Sequence, residues 1–291
     1  MSLRHTERFR VRHYECDPYG HVNNANYLRY MEEAAFRASA AVGYGMEEYL
    51  AMKRWWLIRE TEIEYLQPLR YGDTAEVTTW VVNMRRARSR RAYEIRRAST
   101  GELAARAWTD WVFLDATTGR PAPIPEELRR TYGTGELPKG LSTDRFPSPP
   151  PPPPGVFTVR RRVEWRDLDP AGHVNNANYL SFIEDSAIQI ARAYGWPVRR
   201  MEEAGFAVIA RRIRVEYRQP ALLDDELEIS TWLSDVRRAT VIRHFVIRRP
   251  ADDALIARAR TLWVWVDLKS GRPIRIPDAF FTDFAANIVQ A

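Results

Sequence analysis

The segment Asp17–Leu28 reads DPYGHVNNANYL, and Asp169–Leu180 reads DPAGHVNNANYL. The copies differ only at Tyr19 against Ala171, and the shift of 152 that separates Asp17 from Asp169 carries through the rest of the chain. Glu64-Tyr65 and Gln67-Pro68 return as Glu216-Tyr217 and Gln219-Pro220. Trp80, Arg85-Arg86, Trp111, Asp115 and Gly119-Arg120-Pro121 return as Trp232, Arg237-Arg238, Trp263, Asp267 and Gly271-Arg272-Pro273. A constant shift without a gap from Asp17 to Pro125 (Pro277) marks a duplicated domain of ordinary size. The expected division is a first domain over 1–140, a proline-rich linker over 141–155 and a second domain over 156–291. Pro149–Pro154 is an unbroken proline run, which at about 3.1 Å per residue makes a stiff spacer of roughly 20 Å.

Outward from the motif, the pattern within each copy is one strand, one long helix and four more strands. Residues 7–14 alternate as a first strand. Pro18 and Gly20 turn the chain. From Asn26 to about Val42, Tyr27, Met31, Ala34, Ala38 and Ala41 fall on one face at three-and-four spacing, so a helix is expected, and its many alanines predict close neighbours. Gly43 and Gly45 end it, and a short helix follows near 46–52. Strands are expected at 55–66, 74–84, 88–98 and 103–114, each closed by a turn signal, and a short helix at Glu126–Tyr132. Such a unit is α+β, a curved antiparallel five-stranded sheet wrapped around a long central helix.

Composition narrows the function classes. The 291 residues are 45% apolar, enough for two cores. No apolar run approaches the roughly 18 residues of a membrane helix, and MSLRHTERFRVR has no segment suited to a secretory signal, so a cytoplasmic protein without membrane partners is expected. The lone Cys16 cannot form an internal disulfide or a thiolate metal cluster. The formal charge of +6 comes from arginine, because lysine occurs only at Lys53, Lys139 and Lys269. These arginines are spread along strand-like runs, richest at Arg85–Arg91, and not gathered into a nucleic-acid tract. No Gly-rich phosphate loop, GxSxG elbow or HExxH helix occurs, and Asp and His without further grouped ligands do not make a metal site. No cofactor is expected.

The motif itself has definite chemical capacity. Pro and Gly make a tight loop, the helix begins near Asn23 or Asn24, and the first-turn N–H groups point beside Asp17. A carbonyl placed there has its oxygen polarised, an effect worth roughly a hundred- to thousandfold in rate per donor. Asp17 then serves as base or nucleophile, while His21 orients water or the aspartate. Turn formation and capping alone would explain one copy, but Asp17 and His21 are both repeated, as Asp169 and His173, where Tyr19 is not.

DPAGHVNNANY resembles the active-site loop of the 4-hydroxybenzoyl-CoA thioesterase-like branch of the hotdog superfamily, and the order of elements is similar to the hotdog fold. The paired layout also resembles acyl-acyl-carrier-protein thioesterases, though the middle Asn of their loop is here Tyr19 and Ala171. A Glu-Cys pair of that branch is replaced by Pro68-Leu69 and Pro220-Ala221. The resemblance implies two tandem hotdog domains and an acyl thioesterase acting on acyl-CoA or acyl-carrier-protein. It implies catalytic Asp17, His21 and Asn24 with Asp169, His173 and Asn176, the two Asn acting through backbone N–H. Gly20, Asn23, Tyr27 and Glu33, with Gly172, Asn175, Tyr179 and Asp185, are the accompanying substrate-binding candidates. It further implies an internal pseudo-dimer open to further self-association, and an acyl tunnel between helix and sheet. An acyl-thioester-binding protein without turnover, and a hotdog hydratase or dehydratase, are the alternatives.

Overall fold

The computed structural model describes residues 2–290, and the chain divides into two compact units, Met1–Thr143 and Asp144–Ala291. Unit 1 runs β1 (Arg4–Arg10), α1 (Asn24–Ala40), α2 (Met46–Ala51), β2 (Arg54–Tyr65), β3 (Thr74–Met84), β4 (Arg88–Arg97), β5 (Leu103–Asp115) and α3 (Glu126–Tyr132). Its strands are antiparallel neighbours in the order β1-β3-β4-β5-β2. Unit 2 repeats the plan with β6 (Phe157–Arg162), α4 (Asn176–Ala193), α5 (Val198–Glu203), β7 (Phe206–Tyr217), β8 (Glu226–Ser234), β9 (Thr240–Arg249), β10 (Ala254–Asp267) and α6 (Asp278–Phe284). Its order, β6-β8-β9-β10-β7, is the same one shifted. Both units are α+β, as the pattern of elements predicts.

Helix α1 turns Ala25, Leu28, Met31, Ala34, Ala35 and Ala38 into the core. These follow the helical period, and the alanines let the backbone lie close to β1 and β3. The parallel stack of Phe9 on Tyr30, with centroids 5.1 Å apart, joins β1 to α1. Ala41, expected on the buried face, is exposed, because the helix ends at Ala40, and the chain turns away through Gly43 at φ +84°.

Two boundaries differ from expectation for local reasons. The first strand ends at Arg10 and not near residue 14, because the Arg12 N–H donates to the Glu15 carboxylate at 2.7 Å and starts a 3-10 turn over His13–Glu15. The proline segment, expected as a stiff linker between the domains, falls within unit 2 and is anchored there on both sides. Phe146 is buried under the Arg258 guanidinium, and the Gly155 N–H donates to the Ala286 carbonyl at 2.9 Å. That approach requires glycine, since a Cβ at 155 would lie 2.5 Å from the Ala286 oxygen.

The arginines are largely consumed by the sheets. Arg90 forms a bidentate pair with Asp110 at 2.6 Å and covers Trp108; Arg106 pairs with Glu64, and Arg258 with Glu216, each at 2.6 Å. Across a strand pair such forks fix register as well as charge. Arg85, Arg86 and Arg88 stay exposed at the β3–β4 hairpin, whereas Arg91 is buried, so the expected basic strand is divided between surface and interior.

Candidate active site

In unit 1 the loop closes through backbone hydrogen bonds: the Asp17 N–H donates to the His21 carbonyl at 2.7 Å, and the Gly20 N–H to the Asp17 carbonyl at 2.9 Å. Gly20 sits at φ +72° and Gly172 at φ +79°, the left-handed region that glycine alone enters without strain. The Asp17 Oδ1 accepts from the Tyr19 and His21 N–H groups at 2.9 and 3.0 Å. One carboxylate oxygen therefore holds the turn. The Oδ2 accepts no hydrogen bond among the described residues, which leaves it available for chemistry. In unit 2 the Asp169 Oδ1 accepts from the Ala171 N–H at 2.9 Å, and its Oδ2 lies 3.6 Å from His173 Nδ1. His21 is held below the usual histidine range, chiefly by burial and further by the Arg70 cation, against an opposing pull from Asp17. At neutral pH its imidazole is uncharged and can both donate and accept.

The three asparagines of NNAN have separate tasks. The Asn23 side chain caps the helix by accepting from the Ala25 N–H at 3.0 Å, and Asn175 does the same for Ala177 at 2.9 Å. The Asn26 amide donates to the Glu15 carbonyl at 2.8 Å, as Asn178 does to Asp167 at 2.9 Å. Its backbone N–H goes to the Asn23 carbonyl. The capping side chain serves the second helical N–H and the cap carbonyl the third, so the first, on Asn24, meets no acceptor among the described residues; Asn176 repeats this. Their carbonyls are fixed by the Tyr65 and Tyr217 hydroxyls, each donating at 3.1 Å. Each unit thus presents one oriented N–H at the positive end of a long helix, beside a conserved-in-copy aspartate and histidine.

The units diverge at the other end of the helix. Unit 1 has a small cavity of ≈ 40 Å³ lined by α1 (Ala35, Phe36, Ser39) and by residues that include Trp56, Arg91 and Trp111. At the equivalent positions of unit 2, Met201, Val241, Phe280 and Phe284 join Trp265 in one core cluster. There Phe280 stacks on Phe284 at 4.2 Å and meets Trp265 edge-on at 4.9 Å.

A family model described as the thioesterase-like superfamily matches residues 11–131 and again 163–284, the two units in turn. The chain belongs to the thioesterase-like superfamily. A chloroplastic palmitoyl-acyl carrier protein thioesterase of Arabidopsis thaliana is 26% identical over 88% of this chain and 63% of its own length. A putative esterase of Aquifex aeolicus is 29% identical over 42% of this chain and 91% of its own length. Among solved structures, a putative oleoyl thioesterase of Lactobacillus plantarum superposes with TM-score 0.76 at 21% identity, covering 90% of this chain and 96% of that one. A 12:0-ACP thioesterase of Umbellularia californica gives 0.73 at 21%, over 89% and 93%. These structures share the tandem hotdog fold. The chain spans between 46% and 66% of the length of the first plant relatives it matches.

On this thioesterase-like frame, Asp17, Gly20, His21, Asn23 and Asn24 come together in one loop and helix start, as do Asp169, Gly172, His173, Asn175 and Asn176. Glu33 and Asp185 do not join them. Glu33 is exposed and pairs with Arg37 at 2.7 Å; Asp185 is exposed with Arg161 at 3.7 Å. Both sit one position past the helix face that meets the core, so they serve as surface ion pairs. Tyr27 also has another occupation: its buried hydroxyl accepts from the Leu69 N–H at 3.1 Å, and burial pushes it up to about 12. Tyr179 is likewise pushed upward by burial. These tyrosines brace the β2–β3 and β7–β8 connections against the helix. Sequence reasoning missed Glu15 and Asp167, both buried. The Glu15 carboxylate also accepts from the Tyr30 hydroxyl at 2.7 Å, and the Asp167 carboxylate accepts from the Glu164 N–H at 2.9 Å. An acid two residues ahead of each motif aspartate was the available signal. Among the described residues no group of three or more His, Cys, Asp or Glu gathers as a metal site, and no helix is long and apolar enough to cross a membrane.

Proposed function

We propose that this chain hydrolyses acyl thioesters of coenzyme A or acyl carrier protein, releasing a free acid and a thiol. The observation that carries the reading is the pairing, in each unit, of an aspartate oxygen left free by the turn with a helix-start N–H left free by the cap. Membership of the thioesterase-like superfamily and the plant relatives' names support it. The thioester oxygen accepts from the Asn24 or Asn176 N–H, which the helix dipole makes a strong donor. Water, positioned by His21 or His173, adds to the carbonyl carbon as the Asp17 or Asp169 carboxylate takes its proton. The C–S bond then breaks, and the sulfur leaves with that proton as the thiol. Direct attack by the carboxylate, followed by hydrolysis of the anhydride, needs the same geometry.

The test is thiol release from short, long and aromatic acyl-CoAs, then acyl carrier protein thioesters, by wild type and by Asp17→Asn with Asp169→Asn. Release that the double substitution lowers by about 10²–10⁴ supports the reading. Ligand binding without release from any thioester overturns it in favour of a binding protein, and an intact thioester with a changed acyl chain in favour of a hydratase.

A further inference from the structure

We propose that a basic, aromatic groove beside the Asp17 loop binds the nucleotide of coenzyme A, so that unit 1 takes its acyl group from coenzyme A and not from a carrier protein. The proposal rests on the thioesterase reading and names the carrier. The groove is ≈ 490 Å³ and is lined by Arg8, Arg10, Arg12 and Tyr14 of β1 and the turn after it, by Arg37 of α1 and by Tyr71. That volume lies within the roughly 300–1,000 Å³ of small-molecule sites. The groove adjoins the motif directly. Its turn, His13–Glu15, leads through Cys16 into Asp17. Arg70, the neighbour of Tyr71, is bridged to His21, and its guanidinium lies 3.8 Å from where a Cβ on Gly20 would sit.

Two kinds of side chain meet there. Tyr14 is 77% exposed and Tyr71 65%, and the His13 ring meets Tyr71 edge-on at 5.8 Å. Rings left this bare offer faces on which a purine stacks. Guanidiniums match phosphate oxygens through paired N–H donors. Arg8, Arg12 and Arg37 are anchored by Glu76, Glu15 and Glu33 at 2.7, 3.3 and 2.7 Å, which sets their direction and still leaves each guanidinium N–H donors to offer. Arg10 and Arg70 hold no acid among the described residues. Unit 2 keeps Arg8 and Arg10 as Arg160 and Arg162, but Arg12, Arg37 and Arg70 become Glu164, Gln189 and Leu222, and Tyr14 and Tyr71 become Arg166 and Leu223. Arg161, in place of Phe9, turns inward onto Asp167 and Phe182. The motif is thus duplicated, whereas the combination of cations and bare rings beside it is not. Coenzyme A supplies phosphates and a purine together and so uses both. A carrier protein brings a phosphate on its pantetheine arm but no purine, which would leave the tyrosines in water.

Calorimetric titration of the full chain with adenosine 3′,5′-bisphosphate reads binding without turnover. Saturable binding is expected, weakened at least about tenfold by Arg10→Glu with Tyr71→Ala and unchanged by the matched pair in unit 2, Arg162→Glu with Leu223→Ala. No binding by wild type overturns the proposal whether or not the variants fold, as does binding that the folded unit 1 variant retains or that the unit 2 variant weakens equally. If a carrier protein without its acyl group binds where the nucleotide does not, and the unit 1 variant abolishes that binding, the groove is a protein-docking surface and the proposal falls. Thiol release from octanoyl-CoA against octanoyl-pantetheine separates the two readings, with a KM at least about tenfold lower for the coenzyme A thioester expected. Nucleotide binding with no release from either leaves the groove assignment standing and sinks the hydrolase. Release from both with equal KM, and no nucleotide binding, does the reverse.

Discussion

Units 1 and 2 share a chain plan, a register and a motif, yet differ in how they use the space beneath the second half of their long helix. In unit 1, Leu128 and Tyr132 of α3 leave a cavity beside Ser39, Ser89 and Arg91. In unit 2, Phe280 and Phe284 of α6 stack with Tyr194, Trp196 and Trp265 and occupy that space with rings. The helix-start chemistry is duplicated, whereas the small cavity at the other end of the helix is not. A duplicated fold can thus divide its labour by changing a handful of side-chain sizes while every backbone hydrogen bond of the motif stays in place.

If the division is functional, the copies are not interchangeable. The largest effect is expected at the motif: Asp17→Asn and Asp169→Asn, assayed singly by thiol release, should differ by at least about tenfold within the 10²–10⁴ lost by the double variant. Equal losses would break the comparison. Next, Phe284→Ala should cost unit 2 about 3–5 kcal/mol. Tyr132→Ala in unit 1 should cost distinctly less, because its neighbours already border open space; thermal or denaturant unfolding reads both. Acid should also separate the units. His244 is held at about 4, mainly by burial and then by Arg260, and its ring meets Ser234 at 2.7 Å; unit 1 has Ala92 at this position. Below about 6.5 the unfolded histidine takes up a proton that the folded one refuses. Stability should therefore fall as pH drops from about 6.5 to 4, by on the order of 2 kcal/mol, and His244→Gln should flatten that fall. The smallest effect sharpens the comparison directly: transferring unit 2 filling to unit 1, as Ser89→Val with Leu128→Phe, should raise KM for long acyl thioesters about tenfold with kcat little changed, as lost uniform binding does.

Much of this was legible in the residues themselves. The repeat, the antiparallel α+β plan and the position of α1 follow from short-range rules, because alternation, three-and-four spacing and turn residues act over a few positions of chain. So did the motif: cap, turn and free N–H are all made within ten residues, and the sequence alone placed Asp17, Gly20, His21 and Asn24 together. Where short-range rules fell short, the missing partner lay elsewhere in the fold. Arg37, four residues on in the same helix, was a legible partner for Glu33, but nothing near Asp185 in sequence revealed that Arg161 would hold it on the surface. The consumption of Tyr27 depended on an N–H at Leu69, and the fate of Arg91 on residues from α1, β3, β4 and α3. A cavity is a difference between volumes contributed by several elements, and a buried charge is defined by all its neighbours at once. Periodicity carries neither quantity, so the sequence by itself determined the scaffold and the helix-start site, and only the tertiary packing decided which copy keeps a cavity beneath its long helix.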